Sequence, residues 1–302
     1  MGGREPALGL LGEDRPMSAR TRTTRARPGL LPAVLLAVLL LGLTACSSGK
    51  PEASPSTSSS SSTATSAAPA PPAPPPAHAC YDLDFAAAVK ATTTEPPVPC
   101  SSAHTTTTIR VGTIRPVVDG HLLAVDADPV QQQIAGRCRR ALAAQVGGDE
   151  ETRRLSRLTV VWFSPSLTDS DRGALWFRCD LVALAGHDVL APLPRVTRGI
   201  LSQDGALDRW GTCGTASPAA SRFERVICSQ PHSWRARATV DLPAGAAYLG
   251  KAAGAAADSA CHDVDAKLAA DSLKLHWSFE WPTKDAWNAG QRYGLCWTPD
   301  PA

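Results

Sequence analysis

Eight of the nine cysteines fall into two sets of four whose spacing recurs, and no other feature limits the fold as strongly. Cys80, Cys100, Cys138 and Cys179 are separated by 20, 38 and 41 residues; Cys213, Cys228, Cys261 and Cys296 by 15, 33 and 35. The flanking residues match too. Residues 98–104 (VPCSSAH) lie over 226–232 (VICSQPH), each with a histidine four places after the cysteine, His104 and His232. Before the fourth cysteine, Pro165 and Pro282, Gly173 and Gly290, and the aromatics Trp176 and Tyr293 coincide without a gap. Trp162 and Phe279 also hold equivalent places, at the end of the preceding strand. An even cysteine count in an exported chain reads as a disulfide framework. All eight are therefore expected in disulfides, kept within each set and paired alike in both. Which of the three pairings each set adopts stays open.

Hydrophobic periodicity predicts strands over 105–114, 157–163 and 176–184 in the first half, and over 233–242, 275–281 and 292–298 in the second. Between them each half carries one helix bearing the third cysteine. The first runs from Asp128 to about Gln145, with Asp128 as N-cap and Pro129 at the first helical position; the second is the Ala-rich stretch 246–270. The fold class is α+β: two tandem small units, 80–204 and 205–302, each a short antiparallel sheet with one packed helix. So small a core buries little, and two disulfides per unit, each worth roughly 2–4 kcal/mol, supply the difference.

The N-terminus assigns the compartment. Arg20, Arg22, Arg25 and Arg27 precede an uncharged apolar run over 30–43, short of the about 20 residues a spanning helix needs. Leu43-Thr44-Ala45-Cys46 follows and resembles the bacterial lipobox at every position. Residues 1–45 therefore read as a signal peptide whose true start is Met17, removed so that Cys46 accepts a diacylglyceryl group and acyl chains such as palmitate. Several chains hold a protein on a membrane far better than one. Residues 46–79 are almost wholly Ser, Thr, Pro and Ala, too polar to bury a core, and read as a disordered tether. The expected location is the extracytoplasmic face of the cell membrane. The formal charge of +2 belongs to the leader: without Arg4, Arg15, Arg20, Arg22, Arg25, Arg27, Glu5, Glu13 and Asp14 the chain has 24 basic and 25 acidic residues. That balance offers nucleic acid no basic stripe.

The Val-x-Cys-x-x-Pro-His block, the helical cysteine and a terminal block of Pro282, Trp287, Gly290, Arg292 and Cys296 resemble the septum-formation domain of actinobacterial exported proteins. The second half carries this resemblance over about 95 residues. The first half reads as a diverged copy, with Ala103 for the proline, Ser170 for Trp287 and Leu175 for Arg292. The resemblance implies a role in septum formation and supplies no catalytic residues, so His104, His232, Pro282, Trp287, Gly290 and Arg292 are carried forward as structural motif positions that could also serve function.

Other chemistries are weaker. Cys-x-x-x-His could ligate zinc, but a full disulfide count in an oxidising compartment argues for no metal and no cofactor, with the histidines bonding backbone. No nucleophile motif is present, and the serines concentrate in the tether. Trp277, Trp281, Trp287, Tyr293 and Trp297 crowd the last residues, and Trp277, Phe279 and Trp281 alternate along one strand face. Stacked aromatics bind glycan or protein, though filling a small core is the favoured reading. The expectation is a non-enzymatic binding or scaffolding lipoprotein, partnered by the membrane and by peptidoglycan or an envelope division protein. The alternative is a peptidoglycan-acting enzyme or an inhibitor of one.

Overall fold

The computed structural model describes residues 70–242, 247–248, 250, 254–268 and 273–300, and its cysteine-bearing segments build two five-stranded sheets. In chain order the first half contains β1 (Cys80–Tyr81), α1 (Phe85–Ala88), β2 (Thr106–Thr113), β3 (Val117–Val118), β4 (His121–Leu122) and α2 (Asp128–Val146). It continues with α3 (Glu150–Leu155), β5 (Leu158–Phe163), α4 (Leu167–Asp171), β6 (Trp176–Gly186) and β7 (Val189–Ala191). A 3-10 turn at Ile200–Ser202 and α5 (Ala206–Trp210) lead to β8 (Thr212–Gly214), β9 (Arg225–Ile227), β10 (Trp234–Asp241) and α6 (Gly254–Leu268). The chain then forms β11 (Ser278–Glu280), α7 (Lys284–Asn288) and β12 (Tyr293–Pro299). Cys46, the leader and the tether through residue 69 lie outside the described residues. No helix among the described residues is long and apolar enough to cross a membrane.

The two sheets are built alike, which bears out the α+β fold class. Their strand orders, β1-β2-β6-β5 and β8-β10-β12-β11, place corresponding segments side by side, and every pairing is antiparallel. The register agrees residue by residue. Cys80 faces Val98 and Thr107, while Cys213 faces Val226 and Arg235. Arg110 faces Cys179 as Ala238 faces Cys296, and each pair follows a bulge at the same offset, Thr108/Arg110 and Ala236/Ala238. Trp162 faces Cys179 as Phe279 faces Cys296. A bulge inserts one residue and re-aims the strand, so a shared bulge means the two sheets bend at one place. The disulfides are Cys80–Cys100, Cys138–Cys179, Cys213–Cys228 and Cys261–Cys296: first to second and third to fourth in each half.

Local differences have local causes. Asp128 is not the N-cap of α2. Ala127 is the N-cap, because its extended backbone directs its carbonyl to accept from the amides of Val130 and Gln131, and its methyl side chain has no capping bond to give. Asp128 stands in the first turn, where its carboxylate still meets the positive end of the helix dipole. The loops before the last strands hold the short helices α4 and α7, capped by Ser166 and Thr283, whose hydroxyls each accept from the amide three residues on at 3.1 Å. Gly173 and Gly290, at φ 92° and 101°, then turn the chain through a region closed to most side chains.

Two buried clusters contain residues of both halves. Leu155 of α3 is buried with Ala236, Leu295 and Trp297 of the second sheet. Arg154 reaches Asp241 at 2.7 Å and lies 4.5 Å from the Tyr293 ring, and the Glu151 carboxylate accepts from the Thr239 amide. Trp210 and Ile227 join Val146, Leu158, Leu181 and Ile200 in a second cluster that crosses the junction. Ala70 to Ala79 has no regular secondary structure, and a side chain at Gly173 would meet Pro71 at 3.3 Å.

Candidate functional site

The two motif histidines sit at matching backbone sites and differ at their outer nitrogen. His104 Nδ1 meets the Ser102 carbonyl at 2.8 Å, and His232 Nδ1 meets that of Gln230 at 2.7 Å. His104 is buried and its Nε2 has no hydrogen-bond partner. His232 Nε2 lies 3.0 Å from Asp300 Oδ2. The same carboxylate accepts from Arg235 Nε and Arg237 Nη2, each at 2.7 Å, and so ties the start of β10 to the end of β12. Sequence reasoning missed Asp300, whose partners lie 63 to 68 residues away. The only local signal was a pair of arginines two apart on a strand, which share a face.

Cys213, His232 and Asp300 stand close enough to suggest a metal centre. The chemistry is wrong for one, because Cys213 is bonded to Cys228 and has no thiolate to offer. Cys100 and Cys228, the cysteines of the two Cys-x-x-x-His blocks, are spent in the same way. Burial alone would raise the Asp300 pKa, but the His232 hydrogen bond and the charges of Arg237 and Arg235 outweigh it and hold the carboxyl below its usual range. A carboxyl with a lowered folded pKa stabilises the fold above about pH 3.8 and loses that contribution as the pH falls through the folded value. Asp300→Ala is expected to cost about 1–3 kcal/mol in urea unfolding at pH 7. The difference from the parent chain shrinks toward pH 3; a constant difference would remove the carboxylate's charge from the explanation.

The terminal motif forms a second cluster. Trp287 is buried on α7, with the Arg292 guanidinium 4.1 Å from its ring centre and Arg292 Nη1 donating to the Trp287 carbonyl. Trp281 stacks on Trp287 at 6.4 Å and 15°, Phe279 meets Trp281 at 5.6 Å, and Tyr248 meets Trp287 at 5.8 Å. Pro282 is buried between the two tryptophans in sequence. Trp281 Nε1 is buried without a hydrogen-bond partner. The other aromatics go elsewhere: Trp277 packs on His262 and donates to Asp258, Tyr293 packs on Arg154, and Trp297 lies against Phe223 with its Nε1 donating to Glu280. Glu280 in turn takes a forked bond from Arg225. The crowd of aromatics near the C-terminus is therefore several environments. Of these, Trp281, Tyr248 and Arg292 pack round the buried Trp287 and, with Phe279, form one part-exposed face able to cover an apolar patch. At the matching positions the first half has Trp162, Ser164, Ser170 and Leu175, so it lacks the stack.

Residues 150–296 match the model of a family described as septum formation. The matched span starts at the first residue of α3, which packs on the second sheet, and ends at Cys296. It takes in His232, Pro282, Trp287, Gly290 and Arg292, and leaves His104 outside. No curated protein and no solved structure matches the chain.

Proposed function

We propose that this chain is a lipid-anchored, extracytoplasmic protein that acts in septum formation by binding at the cell envelope, without catalysing a reaction. The match of residues 150–296 to the septum-formation family carries this reading. Four disulfides support an oxidising compartment, and the lipobox at Cys46 behind an apolar run supports export and anchoring. With eight cysteines bonded, none of them is free to act as a nucleophile. The finer reading is two tandem copies of one unit, the first diverged, in favour of which the shared register and bulge speak. The face of Trp281 and Arg292, backed by the buried Trp287, is the surface through which the second copy engages peptidoglycan or a division protein.

A fluorescent fusion tests this in the native cell. Enrichment at septa, delayed or misplaced septa on deletion, and release from the membrane by Cys46→Ala are the expected results. Even distribution around the membrane with normal septa on deletion would exclude the septal role. Arg292→Ala is expected to weaken septal enrichment while leaving membrane anchoring intact.

A further inference from the structure

One charged cleft lies wholly outside the matched span. Arg110 on β2, Thr113 at its end, Arg115 beyond it, and Arg137, Arg140, Ala141 and Ala144 on α2 line a cavity of about 410 Å³. The four α2 positions follow helical spacing and so present one face to the strand. Among the described residues, no acidic side chain pairs with Arg110, Arg115, Arg137 or Arg140; the arginine ion pairs involve Arg154, Arg172, Arg178, Arg225, Arg235 and Arg237. Arg137 is held in place, its Nη1 donating to the Thr113 carbonyl at 2.7 Å and its guanidinium 5.4 Å from the Phe177 ring.

The fold does not require this charge. Counted from the same cysteines, the second half has Ala238 for Arg110, Asp241 for Thr113, Ala260 for Arg137 and Asp263 for Arg140. Its corresponding face has two acidic residues and one cation, Lys267 in the place of Ala144, on the same sheet order and register, so the cluster of four arginines has no counterpart there. Four like charges gathered without counter-charges repel one another, and an architecture that forms equally well without them gives no structural reason for them.

We propose that this cleft binds a phosphate-bearing anion. Guanidinium forks match phosphate oxygens with paired hydrogen bonds, and the Thr113 hydroxyl adds one neutral donor. No aromatic side chain lines the cleft, so recognition rests on charge and not on stacking with a sugar or a base. Two sources offer that chemistry: a phospholipid headgroup or a soluble phosphate compound. The β3–β4 hairpin begins two residues after Arg115, and its facing pair Val117 and Leu122 is 59% and 78% exposed, an apolar patch at the foot of the Asp119-Gly120 turn that gives a bilayer surface something to contact beside the arginines. The site goes beyond the septal reading and does not depend on it.

Purified full-length chain in uncharged detergent is titrated calorimetrically with inorganic pyrophosphate, and the chain is mixed with phosphatidylglycerol or phosphatidylcholine vesicles in a flotation assay, where an acyl anchor would bind both alike and the cleft is read as the excess for phosphatidylglycerol. The expected result is saturable binding of pyrophosphate, of phosphatidylglycerol vesicles, or of both, weakened on the order of tenfold or more by Arg137→Gln with Arg140→Gln. Binding is also expected to fall steeply as salt rises. Arg115→Gln, in a loop, serves as a second variant that leaves the helix untouched. A phosphatidylglycerol excess lost on Leu122→Glu assigns the lipid source, and pyrophosphate binding indifferent to that change assigns the soluble one. No saturable binding in either arm, or equal binding by the parent chain and the Arg137/Arg140 variant, overturns the proposal.

Discussion

Asp180→Ala is expected to cost about 3–5 kcal/mol in urea unfolding at pH 7, because it leaves the Arg178 charge without a partner inside the protein. Arg178 and Asp180 lie two apart on β6 with side chains only 3% and 0% exposed, Nη2 and Oδ2 2.9 Å apart. The pair is out of hydrogen-bond alignment, so Arg178 Nε and Nη2 and Asp180 Oδ2 have no aligned partner. Thr108 Oγ1 donates to the other carboxylate oxygen at 2.8 Å. The guanidinium is enclosed by the rings of Tyr81 at 3.9 Å and Phe163 at 4.5 Å, which hold it by cation–π attraction. Set against a domain stability of roughly 5–15 kcal/mol, the loss of the carboxylate is severe.

The second sheet supplies the contrasting solution. At the matching positions it has Leu295 for Arg178, Trp297 for Asp180 and Ala236 for Thr108, and all three are buried. Arg178→Leu with Asp180→Leu is therefore expected to lie close to the parent chain, far above the sum of the single losses. A double variant as unstable as that sum would mean that the pair is not energetically coupled. Burial pushes the Asp180 carboxyl up to about 6, against the pull of Arg178 and of the Thr108 hydroxyl. The unfolded carboxyl titrates near 3.8, so between those values the folded chain keeps a proton that the unfolded chain has lost. The part of the stability that comes from this retained proton is thus complete below about pH 3.8 and lost as the pH rises through about 6, where the ionised carboxylate remains the counter-charge of Arg178. Asp180→Asn is expected to flatten the stability profile across that window, and an unchanged profile would rule out this carboxyl as its source.

Removal of Cys138–Cys179 by paired alanines is the second large effect, expected at about 4 kcal/mol on the loop-closure argument for 41 residues. Both cysteines are 0% exposed and fasten α2 to the centre of the first sheet, so two small cavities add to that cost. Cys213–Cys228 closes only 15 residues and is expected at about 3 kcal/mol. Cys80–Cys100 differs in access, since Cys100 is half-buried while Cys80 is 1% exposed. Under graded dithiothreitol it is expected to open first and Cys138–Cys179 last, read by thiol alkylation and mass mapping. If loss of Cys138–Cys179 moved the urea midpoint by less than loss of Cys213–Cys228, loop entropy would not be the governing term.

Much of the fold was legible because the chain states it twice. Recurring cysteines marked equivalent positions, alternating apolar residues marked the strands, and the helical third cysteine could be placed in both halves. Helix caps were less legible. Ser166 and Thr283 begin short helices in what read as loops, and at Asp128 a plausible cap residue stands one place inside the helix. A single cap changes the local energy by only about 1 kcal/mol, so sequence alone places such boundaries weakly.

By itself the sequence determined the α+β class, the recurrence of the cysteine spacing and the commitment of the cysteines to matched sets, all consequences of spacing and local periodicity. Only the tertiary structure decided the pairing of first with second and third with fourth cysteine, and the crossing of α3 to bury Leu155 in the second sheet. It also decided that Asp300 holds His232, Arg235 and Arg237, and that Arg110 and Arg115 share a cleft with Arg137 and Arg140. The physical reason is common to all of these. Periodicity reports which face of an element is apolar, whereas an ion pair, a disulfide or a charged cleft joins residues tens of positions apart. Their meeting depends on how sheets and helices stack, and no local pattern encodes that.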